Sequence, residues 1–97
     1  INYLALSGLL HQIGPTGGKP VPPLNVVADF GGGGLLLAYG IVCALHERSR
    51  SGRGQVVDAT MIDGAASFLA AYLGLQARGC WRDAPGESFL GGAAHFY

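Results

Sequence analysis

The 97 residues carry six Lys or Arg against six Asp or Glu, a formal net charge of zero, which gives no support for nucleic-acid or acidic-membrane binding. Hydrophobic residues make up 49% and charged residues 12%, roughly half the usual charged share. So much apolar surface with so few charges is expected of a segment buried against the rest of a larger protein, and the ends at Ile1 and Tyr97 read as cuts through a longer chain.

Asn2 to Ile13 is predicted to form a helix, because Leu6, Leu9, Leu10 and Ile13 fall at helical spacing and Gly14 supplies a stop. Pro15 to Pro23 is a loop, since Gly17-Gly18 and the surrounding prolines sustain neither a helix nor a central strand. Pro22-Pro23 stiffens its end. A helix is expected from about Gly32 to Arg50, with Arg48 and Arg50 complementing the dipole at its C-terminus. The uncharged stretch from Phe30 to Leu45 is short of the roughly twenty apolar residues that cross a bilayer, so a buried core helix is expected and no membrane span.

Ser51-Gly52-Arg53-Gly54 reads as a turn and Gln55 to Ala59 as a short strand. Thr60 then caps a third helix running through about Arg78, with Asp63 in its first turn and Gly79 at its close. Cys80 to Tyr97 is loop-like, broken at Pro85-Gly86 and Gly91-Gly92. The order of elements suits a mostly helical piece of an α/β protein with one short strand.

Asp29 is the residue that points to chemistry. It lies in Asn25-Val26-Val27-Ala28-Asp29-Phe30, directly before Gly31 to Gly34 and the apolar run Leu35 to Leu45. Glycines let a main chain approach a ligand closely, and the first turn of a helix offers unpaired N–H groups to developing negative charge. Phe30, Gly31, Gly32 and Gly33 are therefore candidate substrate contacts, with amides near Gly31 to Gly33 as candidate donors to an oxyanion. Glycines at the head of a helix also serve packing alone, and the dinucleotide and P-loop patterns are both missing here.

His11 reads as a helix-surface residue and His46 as part of a solvated helix end, while His95, beside Phe96 and Tyr97, is a candidate pocket residue. The two cysteines lack metal-ligand spacing, and Cys43 reads as a small core residue. No metal site is expected. Asp58, Asp63 and Asp83 read as strand-end, capping and loop residues; Arg53 could touch a phosphate, although a plain tight turn is the simpler reading. A cytoplasmic or organellar location is expected, mitochondrial or peroxisomal in a eukaryote, and not a secreted one.

Asn2-Tyr3, Pro22-Pro23-Leu24-Asn25, Asp29-Phe30-Gly31-Gly32-Gly33, Gly40-Ile41 with Ala44-Leu45, Gly52-Arg53-Gly54-Gln55-Val56-Val57-Asp58, Met61-Ile62-Asp63-Gly64 and Gly91-Gly92-Ala93 follow one another in order. Together they resemble the family III CoA-transferases, and within them the α-methylacyl-CoA racemase branch. The resemblance implies an interlocked homodimer with a Rossmann-like large domain and a smaller domain. Residues 1–59 would belong to the large domain, and 60–97 to a helix and loop leading towards the small one. It implies an acyl-CoA thioester substrate, with coenzyme A as part of that substrate and no metal or redox cofactor.

In the racemases, an Asp matching Asp29 and a His exchange the α-proton on opposite faces of a 2-methylacyl-CoA, assisted by a Glu. In the transferases, the matching Asp is a nucleophile that carries acyl-anhydride and aspartyl-CoA thioester intermediates. The family's Gly-His-Asp precedes the Ile-Asn-Tyr with which this sequence opens, so the His is expected outside these residues, as is the Glu. Ala94-His95 departs from the family's usual Pro and aromatic. The expected function is thus a racemase segment carrying one catalytic residue. Two alternatives stand beside it: a CoA-transferase segment using Asp29 covalently, and a structural segment whose glycines serve helix packing.

Overall fold

The computed structural model describes residues 1–87. Five helices follow in order: α1 Asn2–Leu6, α2 Leu9–Gln12, α3 Val26–Ser51, α4 Met61–Ser67 and α5 Ala70–Ala77. The first ten residues of α3, Val26–Leu35, are wound as a π-helix and the remainder, Leu36–Ser51, as an α-helix. Leu4, Leu9, Ala28, Ala65 and Leu69 form a small core, so α1, α2, the π-wound segment and the α4–α5 junction meet there.

The helix expected over Asn2 to Ile13 is broken in two. Gly8 takes φ +81° between α1 and α2, a left-handed conformation that stops a helix. Ser7 stabilises the break: its hydroxyl donates to the Leu4 carbonyl at 2.9 Å and accepts from the Leu9 N–H at 3.3 Å. The break turns both Leu4 and Leu9 into the core.

The helix expected from Gly32 begins instead at Val26, so Asp29 lies in its first turn rather than before it. Gly52, at φ +72°, ends it and donates its N–H to the Arg48 carbonyl at 2.8 Å, a common glycine-dependent stop. The full helix has 26 residues, and an 18-residue window reaches a mean hydropathy of 1.7. That is long and apolar enough to cross a bilayer, in contrast to the shorter uncharged stretch visible in the sequence. Within this chain only 11% of that window is buried. Cys43, expected in a core, is exposed.

The expected strand is not formed: Gln55–Ala59 is irregular, and there is no strand among the described residues. A strand is stabilised by pairing with a neighbour, and none lies alongside; Val56 stands 93% exposed. The α/β expectation therefore narrows to a mostly helical chain over the described residues.

Thr60 caps α4 as its sequence position indicates. Its hydroxyl oxygen accepts from the Asp63 N–H at 3.1 Å and its hydroxyl donates to the Asp63 carboxylate at 2.7 Å. In the full-length protein Thr60→Ala removes both bonds and is expected to cost about 0.5–2 kcal/mol, read as a lower denaturant midpoint with an unchanged slope; an unshifted midpoint would refute the cap's importance.

The helix expected from Thr60 through about Arg78 is also interrupted, into α4 and α5. The Phe68 and Leu69 amides bond three residues back, to Ala65 and Ala66, which tightens the turn and swings Leu69 into the core. At the far end Gly79, at φ +70°, and Cys80 return N–H bonds to Gln76 and Leu75. This is the Schellman arrangement that glycine permits. Beyond it, residues 80–87 lie back over α2. Trp81 donates to Gln12 at 3.3 Å, Gln12 donates to Asp83 at 3.0 Å, and Thr16 donates to the Gly86 carbonyl at 2.9 Å. The Trp81 ring also meets Tyr72, at 4.8 Å between centroids.

Candidate functional site

The head of α3 crosses α4 at the glycines. A Cβ on Gly64 would fall on the main chain of Gly32, against its carbonyl oxygen, and one on Gly32 would lie 2.9 Å from the Ala65 nitrogen. On either side, a Cβ on Gly33 would meet Met61 Cγ at 3.0 Å and one on Gly31 would meet the Phe68 ring at 3.3 Å. Gly31, Gly32 and Gly33 therefore face α4 with their bare Cα positions, and the two main chains touch. Side chains at the crossing would hold the helices apart.

The same glycines suit the π winding. Added Cβ atoms at Gly31, Gly32 and Gly33 would stand 3.3–3.4 Å from the carbonyls of Val26, Val27 and Ala28, five residues back. Short π-wound stretches occur frequently at functional sites. Here the wound segment itself carries both a candidate acid–base residue and the helix crossing.

Asp29 is exposed at this helix mouth, and its carboxylate makes no hydrogen bond or ion pair among the described residues. Its own N–H and that of Phe30 both donate to the Asn25 carbonyl at 3.2 Å. Since those are the first bonds of the helix, the amides left without an intrahelical acceptor are those of Val26, Val27 and Ala28. The amides of Gly31 to Gly33, expected as oxyanion donors, lie further in, within the helical ladder. Phe30 is 62% exposed. His95 lies outside the described residues.

An apolar groove of about 330 Å³ runs along the Phe68 side of the crossing, lined by Leu35, Leu36, Tyr39, Ser67 and Phe68 over the glycines. Asp29 does not line it. At its rim the Tyr39 phenol is pushed up from its ordinary value by its hydrogen bond to Cys43, one turn along α3. His11 stands 3.4 Å from Asp83, in the contact that carries residues 80–87 over α2, so neither belongs to the glycine crossing.

The sequence model of CoA-transferase family III matches residues 1–92. The chain belongs to CoA-transferase family III. Among curated proteins it is 55% identical to the alpha-methylacyl-CoA racemase of Mus musculus and 50% identical to that of Homo sapiens, in each case over 100% of this chain. The alignments cover 26% and 25% of those proteins, so the chain spans about a quarter of their length. It is 46% identical to the formyl-CoA:oxalate CoA-transferase of Rhodopseudomonas palustris (strain BisA53), over 65% of this chain and 15% of that protein.

Asp29 and the glycines lie inside the matched region of the family III model, and His95 lies beyond it. Gly64, Met61 and Phe68 are the residues that the sequence reading did not single out at this site. A glycine inside an amphipathic helix is a cue to close packing, and Gly64, within Met61-Ile62-Asp63-Gly64, carried that cue.

Proposed function

We propose that this family III chain is a segment of an α-methylacyl-CoA racemase and that Asp29 is one of its two proton-transfer groups. The carrying observation is the identity of 50–55% to racemases over the whole chain, against 46% over 65% of it for the formyl-CoA:oxalate transferase. The geometry fits. An exposed carboxylate at the mouth of a helix can reach an α-carbon, and the amides of Val26 and Val27, which have no acceptor within the helix, are donors that an enolate oxygen could use.

The reaction removes the α-proton of a 2-methylacyl thioester to one base and returns a proton to the opposite face. One carboxylate serves one face, so the second group comes from elsewhere in the whole protein, as the family's His. On this reading the substrate is an acyl-CoA thioester, no metal or redox cofactor takes part, and the whole enzyme is an interlocked homodimer of cytoplasmic or organellar location. Its large domain is Rossmann-like, with residues 60–97 leading towards the small one. The exposed apolar faces of α3 then belong to the interior of that assembly rather than to a bilayer.

A specific observation favours a second reading. Asp29 stands open, without apolar enclosure among the described residues, which suits a nucleophile as well as a base. As a transferase residue it would attack the acyl carbonyl, expelling CoA thiolate and forming an acyl-aspartyl anhydride. The thiolate would then attack the aspartyl carbonyl, releasing the donor carboxylate and leaving CoA on an aspartyl thioester. Incubating the full-length enzyme with one epimer of a 2-methylacyl-CoA in deuterated water separates the two. The racemase reading expects epimerisation with α-deuterium uptake and no acceptor acid. Conversion only when a second carboxylic acid is supplied would transfer the assignment to the alternative.

A further inference from the structure

We propose that Gly64 is a positioning residue for Asp29: its main chain seats against that of Gly32, and this contact fixes where the Asp29 carboxylate stands relative to the substrate. The inference rests on the reading of Asp29 as a proton-transfer group. Its basis is mechanical. With no partner among the described residues, the carboxylate takes its position from the body of α3. That body is held by α4 at Gly31, Gly32 and Gly33, two to four residues from Asp29. From Leu36 onward α3 has no buried residue among the described ones, so its remainder contributes little restraint.

The contact at Gly64 has no soft side. A Cβ there would meet the Gly32 carbonyl oxygen, its carbonyl carbon and its Cα, all main-chain atoms. No rotamer change relieves that overlap; only a shift of one helix relative to the other does. At Gly33 the case differs, because the nearest atom of the facing helix is Met61 Cγ at 3.0 Å, in a flexible side chain, and the one main-chain neighbour, the Ala28 carbonyl at 3.3 Å, belongs to its own helix. A Cβ at Gly34 meets only the Asp29 carbonyl of its own helix, at an ordinary 3.5 Å. The three glycines thus give a graded series of displacements acting on one carboxylate.

Misplacing a catalytic group by about 1 Å can cost on the order of 10²-fold in rate. In the full-length enzyme, Gly64→Ala is expected to lower kcat by about tenfold to hundredfold, with KM and acyl-CoA binding close to wild type and the pH profile of kcat/KM altered. Gly34→Ala should leave kcat unchanged. Gly33→Ala should lower kcat less, and Met61→Ala in the same protein should restore it by opening the space.

A merely structural role would lower the melting temperature while leaving kcat per folded enzyme and the pH profile as they were; that outcome in Gly64→Ala overturns the inference. Should Gly64→Ala not fold, the Gly33→Ala and Met61→Ala pair decides. A fall in kcat with rescue upholds the seat, and an unchanged kcat or a fall without rescue overturns it. Turnover surviving in Asp29→Asn brings down the reading of Asp29 and this inference with it. Turnover lost in Asp29→Asn but intact in folded Gly64→Ala brings down the inference alone.

Discussion

Asp29→Asn in the full-length enzyme is expected to reduce turnover by about 10²–10⁴-fold while leaving acyl-CoA binding largely intact. The amide keeps the shape of the side chain and its exposed position on the first turn of α3, but it neither accepts the α-proton nor attacks a carbonyl. Asp58→Asn and Asp63→Asn are the controls. Asp58 is an exposed residue of the irregular segment before α4, and Asp63 is held in the cap by Thr60 at 2.7 Å. Changes at either should act on stability, by about 0.5–2 kcal/mol at Asp63, with turnover per folded enzyme little altered. Steady-state kinetics with a matched binding measurement check this. Near-normal turnover in Asp29→Asn, together with its loss in a folded Asp58 or Asp63 variant, would show the site to be misassigned.

The second large effect is expected of the 97 residues produced alone: they should self-associate, lack a cooperative melting transition and show no racemase activity. A 10.0 kDa globular protein exposes about 5,200 Å² by the usual scaling with mass, whereas this chain exposes 6919 Å². Its radius of gyration is 16.4 Å, against about 12–13 Å for a compact domain of this length.

The excess has a clear source. Leu35, Tyr39 and Val42 make one exposed stripe along α3 and Leu37, Ile41 and Leu45 another. A helix apolar on several sides needs partners on several sides. Catalysis fails for a separate reason, since one carboxylate serves one face of the α-carbon. Sedimentation, calorimetry and an epimerisation assay test the three parts. A monomer with a sharp transition would refute the packing argument, and epimerisation near the rate of a complete enzyme would refute the chemical one.

Much of this was legible in the sequence where the cause was local. Thr60 with Asp63, Gly52 and Gly79 were readable as helix ends because capping and left-handed turns depend on the residue in place. Asp29 stood out through its neighbours alone. What could not be read depended on distant contacts. The break at Gly8 sets Leu4 and Leu9 into a core completed by Ala65 and Leu69, and nothing within Asn2 to Ile13 announces it. The start of α3 at Val26 runs against the low helix propensity of four glycines, and the close crossing with α4 accompanies it. Gln55–Ala59 has the composition of a strand, but pairing requires a neighbour that the described residues do not supply. The family resemblance pointed to Asp29, yet it gave no sign that Gly64 lies against Gly32.

The way residues 80–87 lie across α2 has an optical consequence. Trp81 is the single tryptophan of these 97 residues; it is buried, close to the Tyr72 ring, with its indole N–H on Gln12. Its emission therefore samples the docking of that strap, remote in sequence from Asp29, while far-UV ellipticity is weighted towards the 26-residue α3. The two signals view different parts of the same segment, so in these 97 residues their titration curves should diverge, as expected of a segment that does not come apart as one unit.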